Sequence, residues 1–78
     1  MQNDAVLGRK KRIDIIKAAI NRALTEGEYV LKDKLVANCC INMGLSRKTV
    51  EEYIDLIVVE QDLVEKGGAI RKNVKDND

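Results

Sequence analysis

The sequence predicts a mainly α domain of three helices closed by a small C-terminal β-hairpin. Three observations predict it. Apolar residues recur at helical spacing in three separate stretches. Residues that start or stop helices, Gly27, Gly44 and Ser46, stand at the ends of those stretches. Two short runs of strand-forming character flank Gly67-Gly68.

From Lys11 to Glu26, the residues Ile13, Ile16, Ile20, Ala23 and Leu24 form one apolar stripe, and Gly27 follows where a left-handed residue ends helices. Ile15 falls outside that stripe, close to Ala18, Ala19 and Arg22 on the same helix. Ile15 reads either as a solitary exposed aliphatic, which is normal, or as part of a second face of small and apolar side chains where a second copy of the chain could dock. Tyr29-Val30-Leu31 is too short for a helix and suits a brief strand. Asp33 is the expected N-cap of the second helix. That helix buries Leu35, Val36, Cys39, Cys40 and Met43, and Gly44 stops it. Leu45-Ser46 is a tight connection, with Ser46 as N-cap of the third helix. Val50, Tyr53, Ile54, Ile57 and Val58 make that helix's stripe, which ends near Gln61.

The hairpin joins Leu63-Val64-Glu65 to Ala69-Ile70-Arg71-Lys72. A two-residue Gly67-Gly68 loop sets Val64 opposite Arg71 and Glu65 opposite Ile70, mixing core with solvent residues. A three-residue loop from Lys66 to Gly68 sets Val64 opposite Ile70 and Glu65 opposite Ala69, so the sequence favours the three-residue loop. Residues 1–10 are expected to form a flexible basic arm, 11–73 the folded domain and 74–78 a disordered tail.

With 78 residues, the chain has room for one domain. Phe and Trp are absent, and Tyr29 and Tyr53 are the only aromatics, so the core is aliphatic. One core of this size stabilises a domain by roughly 3–5 kcal/mol, and self-association would bury more apolar surface. No apolar stretch approaches the roughly 20 residues of a membrane span, and no secretory leader is evident. A cytoplasmic, intracellular protein is expected. Histidine is absent, which removes the commonest general base and metal ligand. There is no glycine-rich phosphate motif either, so no enzymatic activity, catalytic residue or cofactor is expected. The adjacent Cys39 and Cys40 close no useful loop and lack the further ligands of a zinc site, so no metal is expected. They read as small core hydrophobes.

The net charge of +1 hides an asymmetry. Arg9-Lys10-Lys11-Arg12 is an unbroken basic run, and Lys66 to Lys75 holds basic residues and no acidic one. The stretch between them is more acidic. Two basic segments that a fold can bring together point to a polyanionic partner.

Helix, short strand, helix, tight turn, helix and hairpin is the order of a winged helix-turn-helix domain. Lys32-Asp33-Lys34-Leu35-Val36-Ala37 leads into Met43-Gly44-Leu45-Ser46-Arg47-Lys48-Thr49-Val50. Tyr53, Ile57 and the Leu63-Val64…Gly67-Gly68 hairpin complete the pattern. The chain from about Ile13 to Lys72 resembles that family of small transcriptional regulators, nucleoid-associated where they bind DNA. The resemblance implies double-stranded DNA as partner, with the first turn of the third helix in the major groove and the hairpin along a neighbouring groove. It places Ser46, Arg47, Lys48 and Thr49 nearest the duplex, Arg47 on guanine or phosphate and Lys48 on phosphate. Lys66, Arg71 and Lys72 would add hairpin contacts, and Arg9, Lys10, Lys11 and Arg12 would follow the backbone or slip into a minor groove as a flexible arm. Glu51, Glu52 and Asp55 depart from this pattern, because they stand on the face that should meet a polyanion. They support the alternative of a protein-interaction module docking a basic partner there.

Overall fold

The structure, a computed structural model, describes residues 4–73; the expected tail at 74–78 lies outside the described residues. In chain order the elements are α1 (Asp4–Glu26), β1 (Val30–Leu31), α2 (Lys32–Met43), α3 (Arg47–Glu60), β2 (Leu63–Lys66) and β3 (Ala69–Lys72). The fold is mainly helical with a three-stranded antiparallel sheet in the order β1-β3-β2. No described helix is long and apolar enough to cross a membrane.

The core forms where the three stripes and the middle strand meet. Ile16, Ile20 and Leu24 from α1 pack with Leu35, Val36 and Cys39 from α2. Val50, Tyr53, Ile54 and Ile57 from α3 and Ile70 from β3 complete it. Ile13, Cys40, Met43 and Val58, also expected to be apolar contacts, lie partly buried against this cluster, as does Leu45. Burial pushes the Cys39 thiol up from its ordinary value, and the neighbouring Cys40 adds to the shift, so Cys39 stays a protonated packing residue at neutral pH.

The connection from α2 to α3 follows its residues. Gly44 adopts φ 68°, a left-handed conformation, and its amide donates to the Cys40 carbonyl at 3.0 Å. Leu45 tucks against the core. Ser46 then caps α3, its Oγ accepting from the Thr49 amide at 3.2 Å.

Three expectations are corrected. The basic run is no arm: α1 is helical from Asp4, so Arg9, Lys10, Lys11 and Arg12 lie within it. Lys and Arg are good helix formers, and no proline interrupts them. Asp33 is not the N-cap of α2. Leu31 holds that position without a side-chain hydrogen bond. The amide of Lys32 donates instead to the Gly68 carbonyl of the hairpin at 2.9 Å, which satisfies one of the helix's free donors.

The hairpin register is the two-residue one. Val64 pairs with Arg71, Glu65 with Ile70 and Lys66 with Ala69. Gly67 and Gly68 stand at φ 61° and 79°, the two positive values a tight primed turn requires. The mixed pairing that counted against this register is resolved by a distant residue. Glu65, opposite the fully buried Ile70, gives its carboxylate to Lys32 at 3.1 Å.

Candidate functional site

The face that joins α2, α3 and the hairpin is built from alternating charges. Arg47 opens α3 and is exposed. Its Nε donates to Glu51 at 3.0 Å, one turn on, and its Nη2 donates to Asp33 on α2 at 3.1 Å. The hydrogen bond and charge of Glu51, followed by the charge of Asp33, push the guanidinium further up. Next along this ridge stands Asp55, which shares Lys32 with Glu65 at 3.4 and 3.1 Å. Four carboxylates thus hold two cations in a continuous row running from the start of α3 to the hairpin.

Lys32 is the residue that sequence reasoning missed as a site element. Only 18% of its side chain is exposed, and its ammonium ties α3 to β2 from the first residue of α2. Its partners stand 23 and 33 residues away, beyond the reach of any local pattern. Burial opposes its charge. The hydrogen bond to Glu65 and the charges of Asp55 and Glu65 outweigh that, and the ammonium's pKa rises above the ordinary lysine value of 10.5. A raised lysine stabilises the fold fully below the unfolded value and loses that contribution as pH climbs through the folded one. Heating monitored by circular dichroism should therefore show the melting temperature falling above about pH 10.5. The fall should be steeper in the wild type than in Lys32→Met; equal slopes would exclude Lys32 as the source.

Among the expected contact residues, Ser46, Arg47, Lys48 and Thr49 stand together on the first turn of α3. Ser46 and Thr49 are joined through their hydroxyls at 2.9 Å, while Lys48 makes no ion pair among the described residues. Lys66 sits at the hairpin turn, next to Glu65 and so one residue from the Lys32 bridge. Arg71 and Lys72 are not brought to this place. Both line a hollow with Leu24, Gly27 and Glu28 at the end of α1, and Lys72 pairs with Leu63 at the open end of the hairpin. The Arg71 guanidinium covers the Tyr29 ring at 5.6 Å, a cation–π contact.

The basic run is separate as well. Arg9, Lys10, Lys11 and Arg12 are exposed and make no ion pair among the described residues. Ile13, the next residue, lines a hollow with Leu56, Ile57 and Glu60. That position is about three helical turns along α3 from Ser46. Lys17, one turn on, fastens α1 to α3 through Glu60 at 2.6 Å.

The expected acidic positions divide by role. Glu51 and Asp55 are engaged by Arg47 and Lys32, whereas Glu52 is exposed and makes no ion pair among the described residues. Farther along α3, Leu56 and Val59 are exposed apolar residues. No protein-family model matches this chain, and no curated protein and no solved structure was found to be similar to it.

Proposed function

We propose that this chain is a winged helix-turn-helix domain that binds double-stranded DNA, as a transcriptional regulator does, with Ser46–Thr49 on α3 against the major groove. The observation that carries the reading is the join from Gly44 to Ser46. Its left-handed glycine and serine cap set the first turn of α3 at the surface, with Lys48 making no ion pair among the described residues and the hairpin tied to the middle of α3 through Lys32. The free amides at the start of α3 add a partial positive charge toward phosphate.

Arg47 is available to this surface despite its two carboxylates. Exposed ion pairs are weak and screened by salt, and a duplex phosphate or a guanine edge offers a stronger bidentate partner. Leaving Glu51 with Asp33 unpaired is then a cost of binding, and the preference for low salt comes from the phosphates that the cations engage. Arg71 and Lys72 contribute from the far end of the hairpin, reaching backbone rather than the bases that Arg47 reads.

The test is a fluorescence-anisotropy titration of a labelled random duplex at several salt concentrations. The logarithm of the association constant should fall linearly with the logarithm of salt, by about 0.9 for each phosphate engaged. No association at low salt would overturn the proposal.

Glu52 and the exposed Leu56 and Val59 favour a second reading, a protein module whose α3 face receives a basic, partly apolar partner. Glu52→Lys separates the two, because it leaves the Arg47 and Lys32 pairs intact. DNA affinity should rise under the first reading; under the second, it should stay absent.

A further inference from the structure

We infer that the exposed face of α1 bordering the α1–α2 groove is the docking surface for a second copy of this chain, with the two α1 helices crossing antiparallel.

The groove encloses about 370 Å³ between the two helices. Ile15, Ala19 and Ala23 form its α1 wall; Leu35, Cys39 and Met43 are among the α2 residues that line it. Ile15 is half exposed at 51%, although its neighbour Ile16 is fully buried. Ile41, 80% exposed, flanks Lys34 and Asn38 on the outer rim of α2. Apolar surface is thus left open on both sides of one trough. A domain with a single small aliphatic core gains most by covering such a surface.

Charge arrangement selects a second copy as occupant. At helical spacing, Lys11, Ile15, Ala18, Ala19, Arg22 and Glu26 fall on one exposed face of α1. That face is cationic at its N-terminal end, small and apolar in the middle, and carries Glu26 at its C-terminal end. An antiparallel crossing centred between Ala18 and Ala19 sets Ala18 of each copy against Ala19 of the other, where small side chains allow the helices a close approach. The same crossing places Lys11 against Glu26 of the second copy, twice by symmetry. It also lays each Ile15 against the aliphatic stem of Arg22 from the other copy. Glu26 now pairs loosely with Arg22 of its own helix at 3.6 Å and can accept the new partner. A parallel arrangement would set Lys11 against Lys11 and Glu26 against Glu26.

Sedimentation equilibrium of the full chain measures the mass directly. The expected mass is twice that of the chain, returning to the single-chain value in Ala18→Glu, which places two carboxylates at the crossing. Ala18 is exposed, so a monomeric variant should retain wild-type circular dichroism. Lys11→Glu and Glu26→Lys should each weaken the dimer at least tenfold, and the double swap should restore it. A wild type that stays monomeric at the highest attainable concentration would overturn the proposal. So would a dimer indifferent to Ala18→Glu, or two weakened single variants that the double swap does not rescue.

Discussion

Ile54→Ala is expected to leave the domain largely unfolded at room temperature. Ile54 is fully buried in the middle of α3, at the meeting place of all three helices and Ile70 of the hairpin. Removing its outer carbons sacrifices their transfer energy and leaves a cavity, for which aliphatic truncations to alanine cost about 2–5 kcal/mol. The cost should fall toward the upper end. Ile16, Ile20, Val50, Ile57 and Ile70 of the same cluster are all β-branched, with χ1 too restricted to swing into the void. The whole net stability of so small a core is roughly 3–5 kcal/mol. Val59→Ala provides the control, because that side chain is 81% exposed and its loss should shift stability by no more than about 0.5 kcal/mol. Urea unfolding followed by circular dichroism measures both; a loss below about 1 kcal/mol in Ile54→Ala would contradict the packing described.

What could be read from the sequence was whatever depends on short-range pattern. The buried positions of α1, α2 and α3 follow from helical spacing, which holds whatever the partner element is. Gly44 and Ser46 were legible for the same reason, since a left-handed stop and a side-chain cap are decided within a few residues. Most of the features that escaped are decided at long range; the helical basic run is not, since it follows from local propensity. Asp33 looks like a cap, but the first amide of α2 is taken by the Gly68 carbonyl, and the carboxylate goes to Arg47. The hairpin register turned on whether Glu65 could stand opposite Ile70. The answer lay with Lys32, 33 residues away in the chain. The turn from α3 into β2 runs through Asp62 at φ 54°, a left-handed position with no glycine to mark it. For the candidate site, Ser46–Thr49 were placed together by one cap. The pairing of Arg47, and the separation of Arg71 and Lys72 from them, needed the assembled sheet.

Replacing Arg9, Lys10, Lys11 and Arg12 together with glutamine should lower the salt dependence of DNA binding by about two units, not four. Each phosphate engaged contributes about 0.9 to the slope of log K against log salt, so the slope counts contacts. An extended arm could lay all four cations along one backbone. In α1, consecutive residues turn by about 100°, which spreads the four around the helix. Only about two can then face a duplex at once, with the others left in solvent. Glutamine preserves helix propensity, so the comparison isolates charge from folding. A loss near four units would mean that the first turns of α1 unwind on DNA. An unchanged slope would remove the basic run from the interface and leave the duplex to α3 and the hairpin alone.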